Sequence, residues 1–229
     1  MTSPTRRSRL WWLVVPLAAL ALWAVAKNGG STADKSDAAP SASAAANPSA
    51  QATTGAPGKS ADPTGPYDPA DYAAQVRAHA REAGVNPVLL MAILYNESYK
   101  PHDPSLERAW QNLKPDAAFG IANMHKAAFE DTKRNRDFAD RDWSELPDDR
   151  DLAVQAAAWY LHDLEAQLPS KVSGPYTRDE LAALGYNAGS GNMLAFARGV
   201  KPGSQAQSYL DKLRATWDKA EKAVGRSGG

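Results

Sequence analysis

The sequence contains no cysteine, which excludes a disulfide scaffold and any thiolate metal site. It carries no net charge, with 26 lysines and arginines against 26 aspartates and glutamates. Nucleic-acid binders usually show a basic domain or stripe, so no nucleic-acid partner is expected. Residues 27–66 lack every large apolar type: no Val, Ile, Leu, Met, Phe, Tyr or Trp occurs among them. Such a stretch cannot bury enough surface to offset its ordering entropy and reads as a disordered Ala/Ser/Pro/Gly-rich linker.

The chain begins with a basic tail, residues 1–9, holding Arg6, Arg7 and Arg9. An uncharged run follows, LWWLVVPLAALALWAVA at 10–26. As a helix it spans roughly 25 Å, slightly less than a bilayer's hydrocarbon core. The arginines predict an inner N-terminus, with everything after residue 26 outside. Two readings stand. The run is a retained single-pass membrane anchor, or it is a signal peptide cut near Ala26 and the protein is secreted to the cell wall.

From Tyr67 onward, 67–229, the apolar pattern is helical and strand-like alternation is scarce, which predicts an all-α domain of about seven helices. Asp68-Pro69 opens the first helix, which ends near Gly84, and Asn86-Pro87 opens the second. A third is expected around His125. Asp148 or Asp149 starts a longer one with Leu161, Leu164 and Leu168 on one stripe. Thr177-x-x-Glu180 and Ser204-x-x-Gln207 have the form of capping boxes, a short helix fills 191–198, and Gly225 stops the last.

The second helix, in LLMAILYNES at 89–98, has no polar side, which marks it as a buried central helix. It ends in Glu97, on the same face as Leu90 and Ile93. A carboxylate there is disfavoured by burial and by the helix dipole, and both raise its pKa. A protonated glutamic acid can act as a general acid. Taken alone, the stretch is equally compatible with a Glu97 frayed into solvent.

Three motifs in order extend this reading: YNES at 95–98, FGIANM at 119–124 and LGYNAG at 184–189, with AAAWYLHDL at 156–164 between the last two. This set resembles the Slt-type lytic transglycosylase domain, which has the goose-type lysozyme-like fold, over roughly residues 68–220. The resemblance implies cleavage of the MurNAc–GlcNAc β-1,4 bond in peptidoglycan glycan strands, with no cofactor and no metal. It makes Glu97 the catalytic acid/base and Ser98 its substrate-orienting neighbour. Gly120 and Asn123 take the places of the family's glycine and glutamine. Tyr186 matches the tyrosine that hydrogen-bonds the catalytic carboxyl, Asn187 lies beside the sugar, and Tyr160 is an aromatic near the cleft. Gly185 stands where alanine is common, and residues 99–118 are longer than in the shortest relatives and read as a loop along the cleft. A water-using muramidase and a non-catalytic wall-binding module of the same fold are the alternatives.

Other candidate chemistry is weaker. Asp103, Glu107, Asp116, Asp131, Asp140 and Asp142 read as solvated surface acids, and DTKRNRDFADRD at 131–142 as a solvated face. His79, His102, His125 and His162 are too scattered for a local ligand motif, and His102-Asp103-Pro104 reads as a turn. Trp110 and Trp143 are candidates for stacking on sugar, whereas Trp159 and Trp217 read as core.

Overall fold

The computed structural model describes residues 67–225 apart from 101 and 116. The anchor or signal run, the linker and the basic tail therefore lie outside the described residues. Among the described residues no helix is long and apolar enough to cross a membrane.

Eight α-helices and no β-strand occur among them. They are α1 (Ala73–Ala83), α2 (Pro87–Glu97), α3 (Pro104–Leu113), α4 (Lys126–Thr132), α5 (Arg150–Gln167), α6 (Arg178–Ala188), α7 (Ser190–Ala197) and α8 (Ser204–Val224). The start signals act as their chemistry requires. The Asn86 side chain accepts from the Val88 N–H at 2.9 Å with Pro87 behind it, Asp149 caps α5, and Thr177 with Glu180 forms a reciprocal capping box on α6. Asp68 caps a 3-10 turn, Pro69–Tyr72, which leads into α1, and Gly84 ends α1 in the left-handed conformation.

The helix α2 is the axis of the domain. Every residue from Val88 to Glu97 is buried, so the absence of a polar face in its sequence is matched by protein on all sides. It packs most extensively on α8, and α1, in turn, lies along α5. Full burial of each of Leu89, Leu90, Ile93 and Leu94 contributes roughly 1.5–3 kcal/mol. Gly185 lets α7 approach α6 closely, since a Cβ there would lie 2.8 Å from the Met193 sulfur and 3.1 Å from Leu164.

Three expectations need correction. Residues 99–118 are not simply a loop. Asp103 accepts from the N–H groups of Ser105 and Leu106 and Pro104 follows it, so the apparent His-Asp-Pro turn is the start of α3. Ser204 does not cap α8 but lies in its first turn. Gly203, extended and without a side chain, takes the cap position, and its carbonyl accepts from the Gln207 N–H. The run 131–142 is only partly solvated. Thr132 and Phe138 are buried, and Arg136 pairs with Asp163 at 2.5 Å while covering Trp159.

FGIANM forms a tight hairpin. Phe119 and Met124 exchange both backbone hydrogen bonds, at 3.0 and 2.9 Å. Gly120 turns the chain with φ 70, and its missing Cβ would sit 2.8 Å from the Leu146 carbonyl oxygen and 3.0 Å from the Leu146 Cβ. Backbone cannot swing aside as a side-chain tip can. Gly120→Ala is therefore expected to destabilise the domain by roughly 2–4 kcal/mol, combining left-handed strain with overpacking. Urea denaturation would read this as a lower midpoint at unchanged slope, and wild-type stability would contradict the close approach.

Candidate active site

The last turn of α2 opens onto a cleft of about 1180 Å³, lined among others by Asn96, Glu97, Tyr99, Asn123, Asn187, Asn192, Tyr209 and Lys212. Among the described residues Glu97 is the only carboxylate that lines it, and it is 6% exposed. Each of its oxygens has a donor. The Tyr209 hydroxyl donates to Oε1 at 3.0 Å, and the Asn123 amide donates to Oε2 at 3.1 Å. Burial pushes this carboxyl above the ordinary glutamate range. The hydrogen bonds from Tyr209 and Asn123 and the charges of Lys212 and His102 pull it down without cancelling that rise. Its affinity for a proton is therefore raised, while Tyr209 and Asn123 remain as donors to its ionised form.

Three carbonyls at the helix end around Glu97 have side-chain partners. Of the carbonyls that a helix leaves unpaired at its C-terminus, that of Tyr95 accepts from the Ser98 hydroxyl at 2.7 Å. That of Asn96 accepts from Lys212 at 2.5 Å, and that of Glu97 faces His102 Nε2 at 3.0 Å. The Lys212 ammonium at this end offsets a dipole that would otherwise oppose the acid.

The motif residues divide into those brought together and those that support. Asn123, held at φ 51 by the hairpin, uses both amide hydrogens, one on Glu97 and one on the Tyr99 hydroxyl at 3.0 Å. Asn187 lines the cleft. Ser98 caps its own helix, and Gly120 shapes the hairpin. Tyr186 departs from its expected contact: its hydroxyl donates to the Ala122 carbonyl at 2.7 Å, bracing the hairpin. The tyrosine on the Glu97 carboxyl is instead Tyr209, from α8. The physical reason is position: α8 packs along α2 and places Tyr209 at the carboxyl. Tyr160 packs on Tyr186 with ring centroids 5.3 Å apart.

Trp143 is buried rather than available for sugar; its ring nitrogen donates to the Met124 carbonyl at 2.9 Å and its ring lies against Phe119. Trp110 is partly exposed on α3 beneath Lys114. Of the surface acids, Asp103 and Asp142 are helix caps, Asp131 pairs with Arg134, Asp140 is exposed and Asp116 lies outside the described residues. Glu107 is the exception, being buried against His102. His125 is exposed at the start of α4. Among the described residues no three or more His, Asp or Glu side chains converge as a metal-binding set.

Sequence reasoning missed Tyr209, Lys212, Tyr99 and the His102–Glu107 pair. Tyr209 carried a usable signal, since it lies beside Ala206, Leu210 and Leu213 on the buried stripe of α8, where a hydroxyl needs a partner.

Neither a curated protein nor a solved structure matches the chain significantly. Residues 75–209, more than half of the chain, match the family model described as the transglycosylase SLT domain. That span contains Glu97, the hairpin, the LGYNAG helix and, at its last position, Tyr209. The chain belongs to this family of lytic transglycosylases, which act on peptidoglycan.

Proposed function

We propose that the protein cleaves the MurNAc–GlcNAc β-1,4 bond of peptidoglycan and leaves a 1,6-anhydro-MurNAc end, with Glu97 as its acid and base. The observation that carries this reading is a single buried carboxyl, held by Tyr209 and Asn123, with no second carboxylate lining the cleft among the described residues. Most glycosidases place two carboxylates across the scissile bond, and substrate-assisted enzymes are an exception. With one acid, the sugar's own N-acetyl group must stabilise the cationic carbon. Glu97 gives its proton to the glycosidic oxygen, the C1–O bond breaks and the GlcNAc-bearing fragment leaves as an alcohol. The resulting carboxylate, received by Tyr209 and Asn123, takes the proton of the same residue's 6-hydroxyl while O6 bonds to C1. The ring closes, and the acid is regenerated without water. Asn123, with both amide hydrogens engaged, offers its carbonyl oxygen to the sugar, and Asn187 adds a further polar contact.

The reading extends to location. The arginines ahead of residues 10–26 favour export of the domain, which then works on the wall from outside the membrane. It is either held by that run or released by cleavage near Ala26.

Digestion of purified sacculi is expected to yield anhydro-MurNAc ends by mass spectrometry. Glu97→Gln should lower turnover by roughly 10²–10⁴-fold, the usual contribution of general acid catalysis, while leaving the circular dichroism unchanged. Reducing MurNAc ends would indicate hydrolysis by water instead, and an active Glu97→Gln protein would remove the acid from its role. The pH profile supplies a second test. The acid must be protonated to act, so activity falls as pH rises through the Glu97 pKa, above the ordinary glutamate range. Tyr209→Phe removes a bond that favours the carboxylate, so the alkaline limb is expected to move to higher pH as kcat falls. An unmoved or lowered limb would contradict the assignment.

A further inference from the structure

The backbone of Glu97 is tied down as firmly as its side chain, through residues that do not line the cleft. His102 is 2% exposed and sits at φ 50, a left-handed conformation that is unfavourable for a non-glycine residue. What holds it is visible on both sides of its ring. Nε2 lies 3.0 Å from the Glu97 carbonyl oxygen, and Nδ1 lies 3.0 Å from Glu107 Oε1. The Tyr67 ring stands edge-on at 5.0 Å, and Arg150 reaches the His102 carbonyl at 3.4 Å.

Glu107 continues the path. It projects inward from α3 and is 6% exposed, although the apolar Leu106, Trp110 and Leu113 of the same helix are exposed. Its Oε2 accepts from the Gly120 N–H at 2.8 Å. Lys100 stands 3.3 Å from Oε1 and also donates to the Ala118 carbonyl at 3.2 Å. Burial pushes the Glu107 carboxyl up, but His102, Lys100 and the Gly120 N–H outweigh it and hold it below the usual range. Gly120 opens the hairpin that presents Asn123 to Glu97 Oε2. The path thus runs from the Glu97 carbonyl through His102, Glu107 and the hairpin back to the Glu97 carboxyl.

Its chemistry is demanding. Both neighbours of the imidazole are acceptors, so two protons must be shared by the ring and the Glu107 carboxyl. Oε2 must meanwhile accept from a backbone N–H. A glutamine at 107 could still serve both, donating its NH₂ to a neutral Nδ1 and accepting from the Gly120 N–H, whereas a methionine keeps the chain length and offers no N–H donor and no oxygen acceptor.

We propose that His102 and Glu107 are positioning residues for Glu97: a buried strut that locks the end of α2 to the hairpin and so sets the acid against Asn123. This rests on the reading of Glu97 as the catalytic acid. Neither residue touches the cleft, so their loss is expected to fall on kcat and leave KM nearly unchanged.

The test compares wild type, His102→Gln, Glu107→Met and Lys100→Met on soluble peptidoglycan fragments, with hydrogen exchange at the Gly120 amide measured in parallel. The two strut variants should lose roughly 10–100-fold in kcat, as misplaced catalytic groups do, with KM within about twofold. His102 is among the groups that pull the Glu97 carboxyl down, so His102→Gln should also shift the alkaline limb upward, which mere loss of folded protein would not do. The Gly120 amide should exchange faster in Glu107→Met, which removes its acceptor. Lys100 is partly exposed, so Lys100→Met is the mildest of the replacements and should show the same direction of change in exchange and kcat even where the buried variants do not fold. Wild-type kcat, an unmoved limb and unchanged Gly120 exchange in folded variants would overturn the strut while leaving the proposed function intact. A wild type that cuts no glycan would overturn the function, and the positioning role with it, whatever the exchange data show.

Discussion

A carboxyl at the C-terminal end of a helix with no polar side must be stabilised from outside that helix, and the domain around α2 is arranged to do so. Removing a charge from water without a partner costs several kcal/mol, and the helix dipole opposes an anion at that end. Both penalties fall on the ionised form and so raise the affinity of Glu97 for a proton. Supplying Tyr209 and Asn123 as donors, with Lys212 and His102 nearby, limits how far the pKa rises. A group in that condition is able to release and recover a proton within one reaction cycle.

Three separate parts of the chain converge on this carboxyl. The helix α8 packs along α2 for ordinary hydrophobic reasons and brings Tyr209 and Lys212 with it. The hairpin 119–124 carries Asn123, and its shape depends on Gly120, on the Trp143 bond to Met124 and on the Tyr186 bond to Ala122. The segment after α2 binds the helix end from behind through His102 and Glu107. Each element is held by packing at a distance from the acid, so the site is rigid although its donors come from loops as well as helices.

Much of this was legible in the sequence. The all-α class, the central α2 and most helix starts follow from apolar periodicity and capping chemistry, because those are local causes with local signatures. The family resemblance placed Glu97, Asn123 and Asn187 at the cleft. What was not legible depended on tertiary contact. Nothing near Tyr186 tells that its hydroxyl points to Ala122 rather than to Glu97. The helix α3 was read as a loop because its apolar stripe is exposed and its buried residue is an acid, the inverse of the usual pattern. Glu107 looked like a surface acid for the same reason: its partners, His102 and the Gly120 N–H, are defined only once the hairpin has formed.

The central claim is that burial raises the affinity of Glu97 for its proton above that of an ordinary glutamate. Carbon-13 NMR of its side-chain carboxyl, titrated in the full-length protein without substrate and assigned by comparison with Glu97→Gln, measures this directly. The account predicts a midpoint above the ordinary glutamate range, with Glu107 titrating below it in the same spectra. A Glu97 midpoint at or below the ordinary value would show that the carboxyl rests as an anion, and would contradict its assignment as the proton donor.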